Sequence, residues 1–261
     1  LGRGGSDTTG VALAVALNAD ECQIYTDVDG IFTTDPRVCS KARLLKEVSF
    51  EEMLELSSSG AKVLQLRSVE YASKFNLPIR VLSSFNEGDG TLVQEEKNIM
   101  ERPIVSGISS IDTEAKLTIR GVPDVPGIAA KILSPISEAG IEVDVIVQNI
   151  SADNCTDFTF TVDKGDAENA KEILQKTSVS LGGGLVEVDH DIAKISVVGR
   201  GMRAHAGVAS KMFQALAKDE INISMITTSE IKISVVIKES EMKKAVTALH
   251  NAFDLDKELD S

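Results

Sequence analysis

The stretch Lys116-Leu117-Thr118-Ile119-Arg120-Gly121 recurs further along the chain as Lys194-Ile195-Ser196-Val197-Val198-Gly199. Each copy has the pattern of a strand that ends at a glycine, and each is followed by a second glycine, Gly127 or Gly207. Self-similarity at this scale indicates a duplicated structural unit. The repeat therefore predicts two copies of one small fold in the second half of the chain.

The segments after each copy predict the rest of the unit. A helix pattern comes first, then an extended pattern, then a further strand and helix, over residues 128–139, 141–146, 158–162 and 167–175 and again over 208–218, 221–226, 232–237 and 241–253. Ile141, Val143 and Val145 alternate with more polar residues, which predicts one sheet face packed on the helices. This order is typical of a ferredoxin-like βαββαβ module. The sequence predicts one module over residues 113–190 and another over 191–261.

Residues 1–85 alternate helix and strand patterns instead. Helices are predicted over 6–18 and 68–75, strands over 22–26 and 79–82, and a capping box of Ser49 and Glu52 begins another helix. Such alternation favours a mostly parallel sheet covered by helices, which is an α/β fold. Residues 86–112 lose this periodicity and contain turn residues, so they are predicted to be the linker between domains.

The composition argues against a nucleic-acid partner and against a membrane span. The 27 Lys and Arg residues against 40 Asp and Glu residues give a net charge of −13, which argues against a nucleic-acid backbone as a partner. The hydrophobic share of 43% and the charged share of 26% are ordinary for a soluble globular protein. No apolar run is long enough to cross a bilayer. A phosphate site stays open, because a few backbone amides suffice to form one.

Cysteine and histidine are sparse and scattered. Cys22, Cys39 and Cys155 are odd in number and far apart, so they form neither a disulfide framework nor a metal-ligand spacing. The three histidines are equally dispersed. The sequence predicts no metal site built by the protein, and the cysteine usage fits a reducing, cytoplasmic location.

A glycine-rich sequence, Leu1-Gly2-Arg3-Gly4-Gly5-Ser6-Asp7-Thr8-Thr9, stands directly before the first predicted helix. Glycines let the backbone turn tightly and approach a ligand, and Ser6 or Asp7 can cap the helix. The free N–H groups and the helix dipole favour an anion, phosphate above all. Arg3 can pair with a carboxylate or phosphate through its planar fork. The alternative is a plain glycine turn with a capping serine.

A second candidate site, Thr26-Asp27-Val28-Asp29-Gly30-Ile31-Phe32-Thr33-Thr34-Asp35-Pro36-Arg37, begins where a predicted strand ends. Ligands of open α/β sheets gather outside the carboxyl ends of the strands. Thr26 and Asp27 can hydrogen-bond a sugar or base. Phe32 offers a stacking face, and Arg37 can reach a phosphate. The alternative is an acidic surface turn; a calcium loop is excluded, because Val38 stands where such a loop needs Glu.

The third candidate site is Gly60-Ala61-Lys62-Val63-Leu64. A lysine after a turn of small residues can act as a point charge on phosphates. The alternative is a solvated lysine, which is the ordinary state of this side chain.

The fourth candidate site is the loop Asp124-Val125-Pro126-Gly127-Ile128-Ala129 of the first repeat. Pro126 and Gly127 begin a helix whose free N–H groups can bind a carboxylate, and Asp124 can hold an ammonium group. A free amino acid needs this pair of contacts. Further polar candidates lie at nearby strand positions of the two repeats: Gln148, Asn149, Asn222 and Ile223. The alternative is a plain loop-to-helix junction.

These motifs together resemble the aspartate kinase family. The resemblance rests on Leu-Gly-Arg-Gly-Gly-Ser-Asp-Thr-Thr at 1–9, Tyr-Thr-Asp-Val-Asp-Gly-Ile-Phe-Thr-Thr-Asp-Pro-Arg at 25–37, Ser-Phe-Glu-Glu-Met-Leu-Glu-Leu at 49–56, Gly-Ala-Lys-Val-Leu at 60–64, Arg-Ser-Val-Glu-Tyr-Ala at 67–72 and Thr-Ser-Glu-Ile-Lys-Ile-Ser at 228–234. The match runs in order along essentially the whole chain. The first two motifs are shared in part with other amino-acid-kinase relatives, and the paired repeats, called ACT domains in this family, make the combination specific.

The resemblance implies a fold and an activity. The fold is the C-terminal part of an amino-acid-kinase α/β/α sandwich over residues 1–85, followed by two ferredoxin-like ACT domains. The activity is phosphoryl transfer from ATP, bound with Mg, to the side-chain carboxylate of L-aspartate. By analogy, Arg3, Ser6 and Asp7 would contact the substrate, with Asp7 organising the reacting groups. The residues that would line the ATP pocket are Thr26, Asp27, Phe32, Arg37, Lys62 and Val63.

The resemblance also implies regulation. Lysine and/or threonine would act as feedback inhibitors at ACT–ACT interfaces, and ACT domains would join subunits into a homo- or hetero-oligomer. The candidate effector contacts are Asp124, Pro126, Gly127, Ile128, Ala129, Glu142, Asp144, Gln148, Asn222, Ile223, Thr228 and Ser229.

The sequence departs from the family pattern in two respects. Gln65-Leu66 stands where the family often has His-Pro, and the family's N-terminal Lys-x-Gly-Gly phosphate motif and the substrate-binding half of the kinase domain are absent from the 261 residues. The chain also begins with Leu1 rather than Met, which predicts an internal piece of a longer protein. We therefore expect the piece alone to be inactive.

Two alternatives stay open. A non-catalytic, amino-acid-binding regulatory subunit would need only the ACT pair, whereas residues 1–83 retain nucleotide-site motifs. Another carboxylate or phosphate kinase of the same superfamily is disfavoured by the ACT repeats.

Overall fold

The computed structural model describes residues 4–96, 104–150, 155–182, 184–205 and 207–257. It confirms the α/β fold class. The chain divides into two compact units, one of Leu1–Ile111 with Lys194–Ser261 and the other of Asp112–Ala193. No helix in the described ranges is both long and apolar enough to span a membrane.

The first unit begins with a helix-covered sheet, residues 4–96, that we call the N-terminal part. Its sheet has the order β1-β3-β4-β2, in which β1 and β3 are parallel, β4 is antiparallel to β3, and β2 is parallel to β4. Its elements are α1 (Gly5–Ala16), β1 (Cys22–Thr26), β2 (Glu47–Ser49), α2 (Phe50–Ser58), α3 (Leu66–Phe75), β3 (Ile79–Ser83) and β4 (Thr91–Gln94).

Local sequence explains where α2 begins. The Ser49 hydroxyl accepts the backbone N–H of Glu52, and the Glu52 carboxylate accepts the backbone N–H of Ser49, each at 3.2 Å. This reciprocal pair is the predicted capping box, which is confirmed. Buried apolar side chains of α2, among them Met53 and Leu56, then pack into the core of the N-terminal part.

The second unit is a ferredoxin-like module that we call the inserted module (residues 112–193). Its strands have the order β7-β8-β6-β9, and every neighbouring pair is antiparallel. The core is apolar and contains Phe158, Phe160 and Leu174, all at most 2% exposed. The elements are β6 (Glu114–Pro123), α4 (Ile128–Glu138), β7 (Ile146–Ile150), β8 (Cys155–Asp163), α5 (Ala167–Ser180) and β9 (Leu185–Asp189).

The first unit also contains a second ferredoxin-like module, which we call the split module (residues 107–111 and 194–257). Its strand order, β11-β12-β10-β5, matches that of the inserted module position by position. The fourth strand, however, is β5, which precedes the inserted module in the chain. The elements are β5 (Gly107–Ile111), β10 (Ile192–Val198), α6 (Val208–Lys218), β11 (Met225–Thr228), β12 (Lys232–Lys238) and α7 (Met242–Ala252).

The predicted linker over 86–112 is corrected by two of these strands. β4 pairs with β2 and β3 in the N-terminal sheet, and β5 pairs antiparallel with β10. Both strands are short and lack a clear alternation of apolar and polar residues, and the burial that makes them strands comes from partners distant in sequence. The remaining domain boundaries stay predictions.

The extended patterns predicted at 141–146 and 221–226 are corrected as well. The strands are Ile146–Ile150 and Met225–Thr228, and single backbone hydrogen bonds of Asp144, Val145 and Ser224 to the neighbouring strands precede them. Alternation reports which side chains are buried, and Ile141, Val145 and Ile221 do turn into the cores. It does not report how far the regular strand extends, which depends on the partner strand.

Candidate functional site

The carboxyl ends of β1 and β3 form the candidate site, together with the helices that precede these strands. α1 is joined to β1, and α3 to β3, by turns of a few residues that reverse the chain. Each helix therefore begins at the edge where its strand ends, and because β1 and β3 are parallel, this is the same edge for both. Two helix N-termini with free N–H groups and positive dipole ends thus lie on one edge, which suits an anion.

Asp7 connects the two helix starts. Its Oδ2 accepts the backbone N–H of Gln65 and its Oδ1 accepts the Ser6 hydroxyl, each at 3.4 Å. Gly4, in the left-handed region at φ 74°, lies so close to Gln65 that a Cβ there would stand 2.7 Å from its side chain. The glycine corner and the segment before α3 therefore meet, and Lys62 and Val63 lie on that segment.

The loops after β1 and β3 also meet at this edge. The Ser84 N–H donates to the carbonyl of Thr26 at 2.8 Å, and the amide of Asn86 donates to Asp29 Oδ1 at 2.8 Å. The hydroxyl of Thr26 donates to Asp27 at 3.2 Å. Sequence reasoning missed Ser84 and Asn86, because Asn86 lies among residues that are typical of a turn. Both residues follow a strand that is parallel to β1, and that position could have identified them, since residues after parallel strands share an edge.

Phe32 and Arg37 lie further along the loop that follows β1. Phe32 is half-buried and bridges to Leu44. The guanidinium of Arg37 donates twice to Asp35, with Nη2 2.8 Å from Oδ2 and Nε 3.1 Å from Oδ1, which holds the pKa of Asp35 below its usual value. The Arg37 side chain is 88% exposed, and an exposed pair of this kind contributes little. A phosphate can therefore replace Asp35 at low energetic cost.

The other predicted residues of this site are placed as follows. Lys62 is exposed, Val63 is half-buried against the core, and Asp27 is exposed at the end of β1. Arg3 lies outside the described residues. Burial, reinforced by the negative charge of Asp7, raises the pKa of Cys22, so this thiol under α1 stays protonated. Among the described residues, no group of three or more His, Cys, Asp or Glu side chains could hold a metal ion.

The predicted effector contacts of the inserted module fall at its two opposite ends. Gly127, at φ 87°, caps α4, and Asp124 and Pro126 beside it are exposed. Gln148 lies on β7, whose last residues pair level with the end of β6, so it belongs to the same end of the module as the start of α4. Glu142 and Asp144 precede β7 at the other end, where Leu133, Ser137, Ile141 and Val143 line a shallow depression with Glu142.

The split module divides its predicted contacts in the same way. Thr228 is the last residue of β11, and Ser229 begins the turn after it, where the Ser229 N–H donates to the Lys232 carbonyl at 2.8 Å. Asn222 and Ile223 precede β11, at the end where α6 finishes.

Two further candidates lie at the start of α4 in the inserted module. Ile128 is buried there and Ala129 is half-buried. The effector roles of all these residues stay predictions.

The chain matches three family models. The amino acid kinase family is matched over residues 1–83, and the ACT domain over residues 117–178 and again over 195–253. These ranges agree with the sequence motifs and with the two ferredoxin-like modules.

Full-length relatives carry the same similarity. The aspartokinase of Pseudomonas aeruginosa is 64% identical over 258 residues, which are 98% of this chain and 63% of that protein. The chain thus spans less than two thirds of the length of the curated relatives it matches.

Solved structures are similar over the same range. E. coli aspartokinase III in complex with aspartate and ADP is 29% identical with a TM-score of 0.81, over 97% of this chain and 56% of that chain. The same enzyme with lysine and aspartate gives a TM-score of 0.78. The regulatory subunit of aspartate kinase from Thermus thermophilus is 40% identical with a TM-score of 0.55, over 57% of this chain and 99% of that chain.

Proposed function

The chain belongs to the aspartate kinase family, and from that premise we propose that the protein transfers the terminal phosphoryl group of ATP to the side-chain carboxylate of L-aspartate, giving 4-phospho-L-aspartate. The observation that carries the proposal is the convergence of the α1 and α3 starts, through Asp7 and Gln65, at the carboxyl ends of β1 and β3. The relatives that support the activity are longer than this chain. The proposal therefore concerns the whole protein.

The chain's own groups would act by position and charge. Phosphoryl transfer needs little covalent chemistry from a protein, and the barrier falls when donor and acceptor are aligned and developing charge is stabilised. The N–H groups at the starts of α1 and α3 would receive phosphate oxygens, with the Lys62 ammonium beside them. Arg3 and Ser6 would contact the substrate, and Asp7 would organise the reacting groups.

The nucleotide would lie along the loops after β1 and β3. Thr26 and Asp27 would hydrogen-bond its polar edge, and Phe32 and Val63 would cover its apolar surface. Arg37 would leave Asp35 for a phosphate. Magnesium fits this edge, because it commonly binds one or two carboxylates plus substrate phosphates rather than a cage of side chains. Bound with ATP, it would neutralise phosphate charge.

We extend the proposal to regulation by lysine and/or threonine. Each module has a helix that begins at a left-handed glycine, Gly127 or Gly207, and such a start suits a carboxylate. The crystal structure of E. coli aspartokinase III with lysine supports lysine as one effector. β7 and β11 are edge strands in their sheets, and they are the surfaces through which we expect subunits to associate into a homo- or hetero-oligomer.

A second candidate function is that of a non-catalytic, amino-acid-binding regulatory subunit. The match to 99% of the Thermus thermophilus regulatory subunit favours it for part of the chain. Calorimetry on the 261 residues separates the two candidates. We expect ATP binding without turnover; binding of lysine or threonine with no ATP binding would instead favour the regulatory subunit.

The free cysteines fit a cytoplasmic location.

The activity is tested by Asp7→Asn in the full-length protein. Removing one positioned charge at a reacting centre typically lowers kcat by about 10²- to 10³-fold, and we expect that loss with KM for ATP changed far less. Asp20→Asn, at an exposed position between α1 and β1, is the matched control and should behave as the wild type. An unchanged kcat in Asp7→Asn would remove Asp7 from its role.

Regulation is tested by thermal unfolding of the 261 residues with each amino acid. A ligand that binds only the folded state stabilises it by about 2.7 kcal/mol at a hundredfold excess over Kd, so Tm should rise with lysine or threonine. Asp124→Ala should weaken the shift, and Asp112→Ala, also exposed, should leave it intact. No shift with either amino acid at millimolar concentration would contradict the regulatory assignment.

A further inference from the structure

Thr33 is a buried junction within the proposed nucleotide loop (residues 26–37). Its side chain is 0% exposed. Its N–H donates to the carbonyl of Arg43 at 2.8 Å, and its carbonyl accepts the N–H of Ile108, on β5 of the split module, at 2.7 Å. Its hydroxyl accepts the N–H of Arg43 at 3.0 Å. The residue next to Phe32 is thus tied to the regulatory half of the same unit.

His250, on α7 of the split module, completes this junction. Its Nε2 lies 2.9 Å from the Thr33 hydroxyl oxygen, and the residue is 0% exposed. The hydroxyl oxygen keeps a second lone pair besides the one that accepts from Arg43, so the hydroxyl donates to Nε2 in one tautomer of the neutral ring and accepts from it in the other.

The packing of His250 does not by itself explain why a histidine is present. Its Nδ1 is buried and has no hydrogen-bond partner among the described residues. A buried polar atom without a partner is unfavourable, so an apolar side chain such as leucine would suit the packing better. The feature that an apolar side chain cannot supply is the hydrogen bond to Thr33.

The C-terminal end of α7 and the residues after it also contact the segment that follows this loop. The Lys41 ammonium donates to Asn251 Oδ1 at 3.3 Å and lies 4.0 Å from Asp256. The position of α7 therefore determines the position of the segment from Thr33 to Arg43. This segment contains Arg37 and directly follows Phe32.

We propose that His250 is a positioning residue for the nucleotide: through its hydrogen bond to Thr33 it fixes the loop that carries Phe32 and Arg37. This inference rests on the proposed function, because it takes residues 26–37 as the ATP-binding loop. A side chain that is displaced by about 1 Å from its ligand loses much of its contribution. The consequence should be specific to ATP, since Asp7 and the glycine corner lie on other elements.

The test compares His250→Leu with His250→Gln in the full-length protein. The bond stabilises the loop position that binds ATP, so its loss weakens ATP binding by at most the factor that one hydrogen bond supplies, about five- to tenfold, and His250→Leu should raise Kd and KM for ATP by up to that factor. KM for aspartate and kcat should stay within about twofold of the wild type. His250→Gln retains an amide that can reach Thr33 and should recover most of the ATP affinity. His190→Leu, at an exposed histidine of the inserted module, is the matched control.

The outcomes separate this inference from the function on which it rests. A wild type that binds no ATP overturns both. A wild type that binds ATP, with His250→Leu unchanged or with equal losses for ATP and aspartate, overturns the positioning role alone. If His250→Leu does not fold, Thr33→Val with Thr33→Ser as its rescue tests the same bond from the other side. Equal ATP affinity in these two variants overturns the inference.

Discussion

The inserted and split modules are two copies of one fold with different surroundings. Their strand orders correspond position by position, and each has a hydroxyl pair joining its central strands, Thr118 with Thr159 at 3.0 Å and Ser196 with Ser234 at 2.8 Å. The inserted module draws all four strands from consecutive sequence. The split module takes its fourth strand from β5, directly after the N-terminal part.

The split module also contacts the N-terminal part, which lies in the same compact unit. The Glu52 carboxylate of α2 accepts the Ser106 hydroxyl at 2.5 Å and the Arg200 N–H at 3.2 Å, and Glu55 pairs with Lys232 at 2.7 Å. The same α2 leads into the segment that carries Lys62. The two copies of one fold therefore differ in what they contact: the split module, whose fourth strand precedes the inserted module in the chain, packs against the part of the molecule that carries the candidate site.

The largest effect is expected from Gly60→Ala, where the N-terminal part meets β5. Gly60 has φ 108°, and a Cβ would stand 2.5 Å from the carbonyl oxygen of Ser110. Adverse backbone conformation and overpacking together should cost about 4 kcal/mol of unfolding free energy. Denaturant unfolding measures this cost.

Gly127→Ala in the inserted module is the matched substitution. Gly127 also has a positive φ, 87°, but a Cβ there meets no atom within 4 Å. Only the backbone term applies, so the loss should be about 1–2 kcal/mol. Equal losses at the two glycines would break the comparison, because they would show that close approach of β5 is not a constraint.

The next effect in size is expected from Glu52→Ala. Glu52 is 8% exposed, and its carboxylate accepts hydrogen bonds from Ser49, Ser106 and Arg200. Removing the shared acceptor leaves several buried donors unsatisfied and removes the glutamate half of the capping box of α2, which should cost about 3 kcal/mol. Urea unfolding followed by circular dichroism measures it.

Glu168→Ala is the control in the inserted module. Glu168 also lies in the first turn of a helix, but its partners, Lys171 and His190, are on the surface. Its loss should stay within about 0.5 kcal/mol. A cost for Glu52→Ala no larger than that of its control would show that α2 is not tied to the split module through this carboxylate.

Much of the fold follows from local sequence. The predicted helix at 208–218 and strand at 22–26 coincide with α6 and β1, because their apolar periodicity and end signals agree. β2, β4 and β5 were not predicted as strands, since short segments become strands through partners far away in sequence. The origin of the fourth strand of the split module is a property of topology, which a local pattern does not report.

The site shows the same limit. Asp7, Thr26 and Asp27 were predicted from glycine and strand-end chemistry, and the structure places them on one sheet edge. Thr33 was read only as part of a loop motif, and His250 only as a scattered histidine. Their hydrogen bond joins residues 217 positions apart, so it depends on how the split module is placed against the N-terminal part, and neither residue's neighbours in sequence predict it.

The smallest effect concerns acid sensitivity, which should differ between the two modules. Burial lowers the pKa of His250 below its ordinary value of 6.5; Lys41 and Arg43 act in the same direction, and Asp256 opposes them. The unfolded chain therefore binds the proton more readily than the folded chain does. The stabilisation due to neutral His250 is fully present above pH 6.5 and is lost as the pH falls below it.

Amide hydrogen exchange, corrected for intrinsic rates, resolves where that stability is lost when the pH is lowered from about 7.5 to about 5.5. Protection should fall in α7 and in the segment from Thr33 to Arg43 more than in α5 of the inserted module. His250→Gln has no such titration and should remove the difference, because its amide stays neutral at both pH values while it keeps a polar atom near Thr33. If the wild type and His250→Gln lose protection equally, the acid sensitivity comes from other groups. The contrast between the two modules then rests on the contacts of α2 and β5 alone.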